Sequence, residues 1–169
     1  MTKNRLSNLL SEKVVFGDGA MGTMLYSKGV FINTCFEELN LTNPKLVGQI
    51  HSQYIAAGCD FIETNTYGAN ELKLARFGLA EKTKEINTAA VNIARNSISN
   101  SGRSISSGPS ILIAGSIGPL GINITQCSLT AEKDVSGIFI NQINALWQAG
   151  VDFLIFETFH NLNELLIAI

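Results

Sequence analysis

The sequence predicts an α/β fold with a parallel sheet, on three observations. Four short apolar runs, Val14-Val15-Phe16, Cys59 to Ile62, Ile111 to Ala114 and Phe153 to Phe156, are continuous rather than alternating, the mark of strands covered on both faces. The segments between them carry apolar residues at helical spacing. The run Ala57-Gly58-Cys59-Asp60-Phe61-Ile62 is echoed by Ala149-Gly150-Val151-Asp152-Phe153-Leu154, as repeated βα units would be. Such repetition fits a (βα)8 barrel and a doubly wound sheet alike.

The elements follow in order. Val14-Val15-Phe16 is the first strand expected, buried like the other three. Thr42-Asn43-Pro44 offers a cap and a first-turn proline before an amphipathic helix to Ala57, closed by Gly58. The strand Cys59 to Ile62 begins at once. Ala69 through Ser97 spaces Leu72, Ala75, Leu79, Ile86, Ala90, Ile93 and Ala94 as two helices broken near Gly78. The serine-rich stretch from Asn96 to Ser110 reads as a loose αβ loop leading into Ile111 to Ala114. Thr130 to Ala149 is a further helix, closed by Gly150, before the strand at Phe153. Leu162 to Ile169 has helical character and stops without glycine, proline or a terminal cation, so the chain is expected to end inside that helix.

With 169 residues, 46% of them hydrophobic, the chain has enough apolar material for one domain core. Charged residues make up 15%, the formal net charge is -2, and the Lys and Arg residues are scattered, which excludes nucleic acid and anionic membranes as partners. The opening MTKNRLSNLLSEK has no apolar core of a signal peptide, and no run approaches the ~20 residues of a membrane span. A cytoplasmic address is expected. Cys35, Cys59 and Cys127 are odd in number and far apart, which fits reduced thiols. Each is read as a small buried hydrophobe, because no pair has metal-ligand spacing. His51 is expected to face outward, His160 has no visible partner, Trp147 is assigned to the core, and Tyr67 is either a pocket wall or packing.

In parallel α/β folds ligands are gripped just past the carboxyl ends of strands. Those positions hold Gly17-Asp18-Gly19-Ala20-Met21-Gly22, then Glu63-Thr64-Asn65-Thr66-Tyr67-Gly68, then Gly115-Ser116-Ile117-Gly118-Pro119, then Glu157-Thr158-Phe159. The first matches G-x-G-x-x-G, so an NAD(P)-binding oxidoreductase using the Gly17-Gly19-Gly22 loop is the alternative reading. It lacks the acidic residue at the required distance, and Asp18 puts a carboxylate where a pyrophosphate would sit. Asp18 suits a cation better, with the following amides left for an anion, and a zwitterionic amino acid offers both. Glu157 could converge on the same ammonium group. Turn and helix-cap roles explain the same two acids without a ligand. A non-enzymatic reading, pairing of two copies through open sheet edges, also stands.

Across its full length the chain resembles the homocysteine S-methyltransferase family. The residues that carry this are Gly17-Asp18-Gly19-Ala20-Met21-Gly22-Thr23, Cys35-Phe36-Glu37-Glu38-Leu39-Asn40, Ala57-Gly58, Glu63-Thr64-Asn65-Thr66-Tyr67-Gly68-Ala69-Asn70, Gly118-Pro119, Gly150-Val151-Asp152 and Glu157-Thr158. The resemblance implies a (βα)8 barrel of which residues 1–169 are the N-terminal half, about four βα units, truncated in the helix after strand four. It implies methyl transfer from a donor to the thiol of homocysteine, yielding methionine, with the thiol activated on zinc. The family's zinc cysteines, one late in the barrel and a pair in Gly-Gly-Cys-Cys-Gly, have no counterpart here, so no catalytic or metal residue is assigned and the fragment is expected to be inactive alone. Carried over as substrate-binding residues are Asp18 and Glu157 for the ammonium group, Gly19 for close backbone approach, and Asn65, Thr66, Tyr67 and Ser116 at matching strand ends. The stretch Asn65 to Leu79 looks like the methyltransferase part of bifunctional enzymes, which implies a C-terminal methylenetetrahydrofolate reductase domain as partner.

Overall fold

A computed structural model describes residues 5–102, 111–122 and 132–169. In chain order the elements are α1 (Arg5–Glu12), α2 (Met21–Ser27), α3 (Leu39–Thr42), α4 (Pro44–Ala57), β1 (Phe61–Glu63), α5 (Glu71–Ala75), a 3-10 turn (Ala80–Lys82), α6 (Thr83–Asn100), β2 (Leu112–Ile117), α7 (Glu132–Ala149), β3 (Phe153–Phe156) and α8 (Leu162–Ala168). The sheet is parallel, in the order β1-β2-β3.

Helix boundaries follow local chemistry. The Asn43 side chain accepts from the Leu46 amide at 3.4 Å and Pro44 opens α4, which ends on Gly58 at φ 102°. Asn70 caps α5 by accepting from Lys73 at 3.0 Å, and Asn161 caps α8 by accepting from Asn163 at 2.8 Å. Gly78, at φ 71°, separates α5 from the turn that leads into α6. The expected loop from Asn96 begins later, since α6 continues to Asn100. Cys127, Pro109 and Thr130 lie outside the described residues.

Register decides what each face of the sheet does. Phe61 pairs with Leu112, Glu63 with Ala114, and Ala114 with Phe153, so Phe61, Glu63, Ser116, Phe153, Ile155 and Glu157 share one face. The opposite face presents Ile62, Ile113, Gly115, Ile117, Leu154 and Phe156 to helices α4, α6 and α7. Ile55, Val91, Phe139 and Leu146 complete the core there. Gly115 lets α7 come close: a Cβ at this position would lie 3.2 Å from Leu146 Cδ1. Truncating the fully buried Phe139 to Ala would cost about 3–5 kcal/mol.

Three expectations are corrected. Val14-Val15-Phe16 is not a buried strand. Its carbonyl at Phe16 accepts from the Asp60 amide at 2.7 Å, but Val14 is 73% exposed and Phe16 64%, because nothing among the described residues covers its outer side. His51 is fully buried rather than outward, since α4 is packed against α2 and α3 as well as α6 and β1. Trp147 is 55% exposed; it shares the outer face of α7 with Ile140, one heptad earlier, while Phe139 and Leu146 face the sheet.

The sequence echo has a structural counterpart at the amino end of the sheet. Asp60 accepts from the Phe16 amide at 3.1 Å and from Lys13 Nζ at 2.6 Å. Asp152 accepts from the Ile113 amide at 2.9 Å and from Arg5 Nη1 at 3.2 Å. In both cases the aspartate's own amide donates to the same neighbouring residue, at 2.7 Å and 2.8 Å. Each copy of Gly-x-Asp-Phe therefore fastens its strand to the segment before it and ties both to a basic residue in α1 (Arg5) or just after it (Lys13).

Candidate functional site

At the carboxyl end of the same sheet lies a cavity of about 520 Å³, a size suited to a small metabolite. Glu63 closes β1, Ser116 lies near the end of β2 and Glu157 follows β3, all on one face. Asp18 is delivered by the loop before α2. That loop runs so close to its neighbours that a Cβ at Gly17 would lie 2.5 Å from the Phe61 ring, and one at Gly19 2.9 Å from the Tyr54 ring. Only glycine permits this approach on both sides of Asp18.

The Asp18 carboxylate accepts the Glu63 amide with both oxygens, each at 3.1 Å. Ser116 Oγ donates to Glu157 Oε1 in a short contact. Among the described residues no Lys or Arg forms an ion pair with any of these three acids; the two ion pairs are Arg5–Asp152 and Lys13–Asp60. Burial pushes Asp18 up to about 7, against the lowering effect of the Glu63 amide, and the Glu157 charge adds to the rise. Glu63 is pushed up to about 8 by burial first, then by the charges of Glu157 and Asp18. These carboxyls resist losing all their protons in an empty cavity.

All seven residues expected from the sequence line this cavity, together with Glu37, Phe36 and Thr158. Their side chains are engaged differently. Thr66 is fully buried, donating to the Ser116 carbonyl at 2.8 Å and bonded to Thr64 Oγ1 at 2.6 Å, so its hydroxyl braces β1 against β2. The Asn65 amide nitrogen donates to the Phe36 carbonyl at 2.7 Å, which ties the strand end to the loop before α3. Tyr67 forms a wall: its ring packs where a Gly118 Cβ would stand, 2.3 Å away, and carries Lys73 Nζ 4.3 Å above its centroid. Buried amides hold this loop from three helices. Asn40 donates to the Asn65 carbonyl at 2.8 Å, Gln142 to the Thr66 carbonyl at 2.7 Å and Asn87 to the Ala69 carbonyl at 2.8 Å.

Glu63, Glu37 and Thr158 also line the cavity but were not among the seven residues chosen from the sequence. Glu63 stands at a strand-end position that the sequence pointed to, and it ends β1 on the same face as Ser116 and Glu157. Glu37 accepts from the Gly68 amide at 2.8 Å and from Cys35 Sγ at 3.6 Å. Thr158 is the one non-glycine residue with positive φ, 59°, among the described residues, a strained conformation for a β-branched side chain right after Glu157.

The Gly17-Gly19-Gly22 loop does not form a dinucleotide cradle. The segment before it is not a paired strand, Asp18 occupies its concave side, and the helix after it has only seven residues. Zinc does not fit the residues present either. No group of three His, Cys, Asp or Glu side chains among the described residues could hold a metal ion. Cys35 is pushed up to about 11 by burial and by the Glu37 charge, away from thiolate, and Cys59 is buried at the amino end of β1, the far end of the sheet from the cavity.

Comparison with known proteins shows the family and the fold. The family model described as homocysteine S-methyltransferase matches residues 15–169. The methionine synthase of Mycobacterium tuberculosis is 29% identical over 170 residues, covering 97% of this chain and 14% of that protein. Betaine–homocysteine S-methyltransferase 1 of Sus scrofa is 31% identical over 172 residues, covering 99% of this chain and 58% of that one. The crystal structure of the homocysteine methyltransferase MmuM from Escherichia coli in its metallated form superposes with a TM-score of 0.83 at 27% identity, over 97% of this chain and 60% of that one. This chain thus spans only part of the length of the relatives it matches, and it belongs to the homocysteine S-methyltransferase family.

Proposed function

We propose that residues 1–169 form the amino-acid-gripping, N-terminal half of a (βα)8 methyltransferase that moves a methyl group to the thiol of homocysteine, giving methionine. The observation that carries this is the convergence of Asp18 and Glu157, from opposite ends of the sequence, on one cavity at the carboxyl end of a parallel sheet. In this reading the two acids take the ammonium group of homocysteine. Ser116 fixes the Glu157 rotamer, and Tyr67 shields one side of the cavity from water.

No step is assigned to a metal on these residues. Cys35 is held as a neutral thiol, so thiol activation belongs to groups other than those described here, and the isolated chain is expected to bind homocysteine without methylating it. The donor, whether methyltetrahydrofolate, S-methylmethionine, S-adenosylmethionine or betaine, is contacted elsewhere, and a reductase domain following this one fits the resemblance of residues 65–79.

The test is calorimetric titration of the chain with L-homocysteine and with its α-hydroxy analogue, which keeps thiol and carboxylate but lacks the ammonium group. Binding of the first and not the second is expected. Equal binding of both would remove the ammonium role of Asp18 and Glu157.

A further inference from the structure

Three carboxyl groups, not two, face the space in which Asp18 and Glu157 would hold an ammonium group. Glu63 shares its sheet face with Ser116 and Glu157, lines the same cavity and offers its backbone amide to Asp18. A primary ammonium has three N–H donors in a tetrahedral fan. Asp18 comes from the loop before α2, Glu63 from β1 and Glu157 from β3, so the three approach from different segments and are not interchangeable.

We propose that Glu63 is the third acceptor for the substrate's ammonium group, one carboxyl for each N–H, and that it makes this cavity select primary over N-substituted amino acids. The inference rests on the amino-acid reading of the cavity given above and adds to it a residue and a selectivity. Three adjacent carboxylates cannot all stay ionised without a cation, and Glu63, pushed up to about 8 by burial and then by the charges of Glu157 and Asp18, keeps its proton until one arrives. An arriving ammonium supplies the missing positive charge. The Glu63 proton then passes to solvent while the ammonium keeps all three of its own, so binding near neutral pH releases protons. Other ionisable groups around the cavity do not supply that proton: Tyr54 and Tyr67 are both shifted upward by burial, with Asp18 and Glu157 respectively adding to it, so they stay protonated throughout. Glu37 is already committed to the Gly68 amide, and Lys73 sits over the Tyr67 ring outside the cavity lining. Asp18, at about 7, contributes to the release in the same direction, which is why the test compares a Glu63 variant with the unaltered chain.

The experiment titrates the 169-residue chain with L-homocysteine in buffers of different ionisation enthalpy, then repeats this with Glu63→Gln after circular dichroism shows its fold intact. The unaltered chain should release protons. Glu63→Gln should bind about tenfold more weakly and release measurably fewer. A second arm needs no variant: N-methyl-L-homocysteine, with one N–H replaced by a methyl, should bind the unaltered chain about tenfold more weakly than the parent. If Glu63→Gln keeps both affinity and proton count, or the N-methyl ligand binds as well as the parent, Glu63 is not an acceptor, yet the proposed function stands provided the α-hydroxy analogue still fails to bind. If that analogue binds as well as homocysteine, the amino-acid reading itself falls and takes this inference with it.

Discussion

At the amino end of the sheet, Asp60 and Asp152 each accept a backbone amide and pair with a basic residue of the N-terminal segment, Lys13 and Arg5, whereas at the carboxyl end Asp18, Glu63 and Glu157 crowd one another around a cavity with no ion-pair partner among the described residues. The side-chain type is nearly the same at both ends; what differs is whether the protein itself supplies the opposite charge. Acids satisfied internally hold strands together. Acids left to each other store a demand for a cation, at a cost to stability that a ligand relieves.

The contrast can be broken by exchanging its terms. The largest effect is expected on binding: Asp18→Asn or Glu157→Gln should weaken L-homocysteine by about 2–5 kcal/mol, because an ammonium facing a neutral amide loses a buried charge partner. Calorimetry checks this, and Asp18→Asn should leave the unliganded chain no less stable in urea. At the amino end the outcome should reverse, with Asp60→Asn costing about 1–3 kcal/mol of unfolding free energy and leaving ligand affinity alone, since Lys13 loses its partner.

The pH dependence sharpens the same comparison. Asp18 and Glu63 keep protons when folded that they lose when unfolded, so the stability they contribute is present at low pH and is lost as pH rises from about 4 through 7 and 8. Thermal melts of Asp18→Asn and Glu63→Gln should show a flatter decline over that window. His51 works in the opposite sense. Fully buried, without a hydrogen-bond partner on either nitrogen among the described residues and held down at about 4, it withdraws roughly 3 kcal/mol as pH falls from 6.5 to 4. His51→Leu should abolish that acid-side loss, and an unchanged melt at pH 4 relative to pH 6.5 in the parent chain would refute it. The smallest effect is at Thr158, where Thr158→Asn, better suited to positive φ, should gain about 0.5–1 kcal/mol in urea unfolding.

Much of the architecture was legible in the residues. The strand at Phe153–Phe156, the Asn43-Pro44 start and Gly58 end of α4, and the break at Gly78 follow from local chemistry that no neighbour overrides. Burial was less legible. An apolar run such as Val14-Val15-Phe16 announces a need for cover, but whether cover arrives is settled by other segments. His51 illustrates the converse: α4 keeps Lys45, Gln49, Ser52 and Gln53 exposed, yet His51 falls on its covered side, which only the packing of α2, α3 and α6 around it decides. In the cavity, Asp18 could be singled out because glycines flank it. Glu63 stood among the strand-end positions but was not chosen, because only the register of β1 against β2 and β3 shows that its side chain shares a face with Ser116 and Glu157.

The amide clamps on the loop after β1 carry one more implication, for the order in which the molecule is made. Asn87 and Asn40 reach the loop across 18 and 25 positions of sequence, but Gln142 reaches the Thr66 carbonyl across 76. During synthesis the first two clamps become available well before the third. The nascent loop must therefore wait, half fastened, until α7 has emerged, so the pocket matures only when the long-range contact closes.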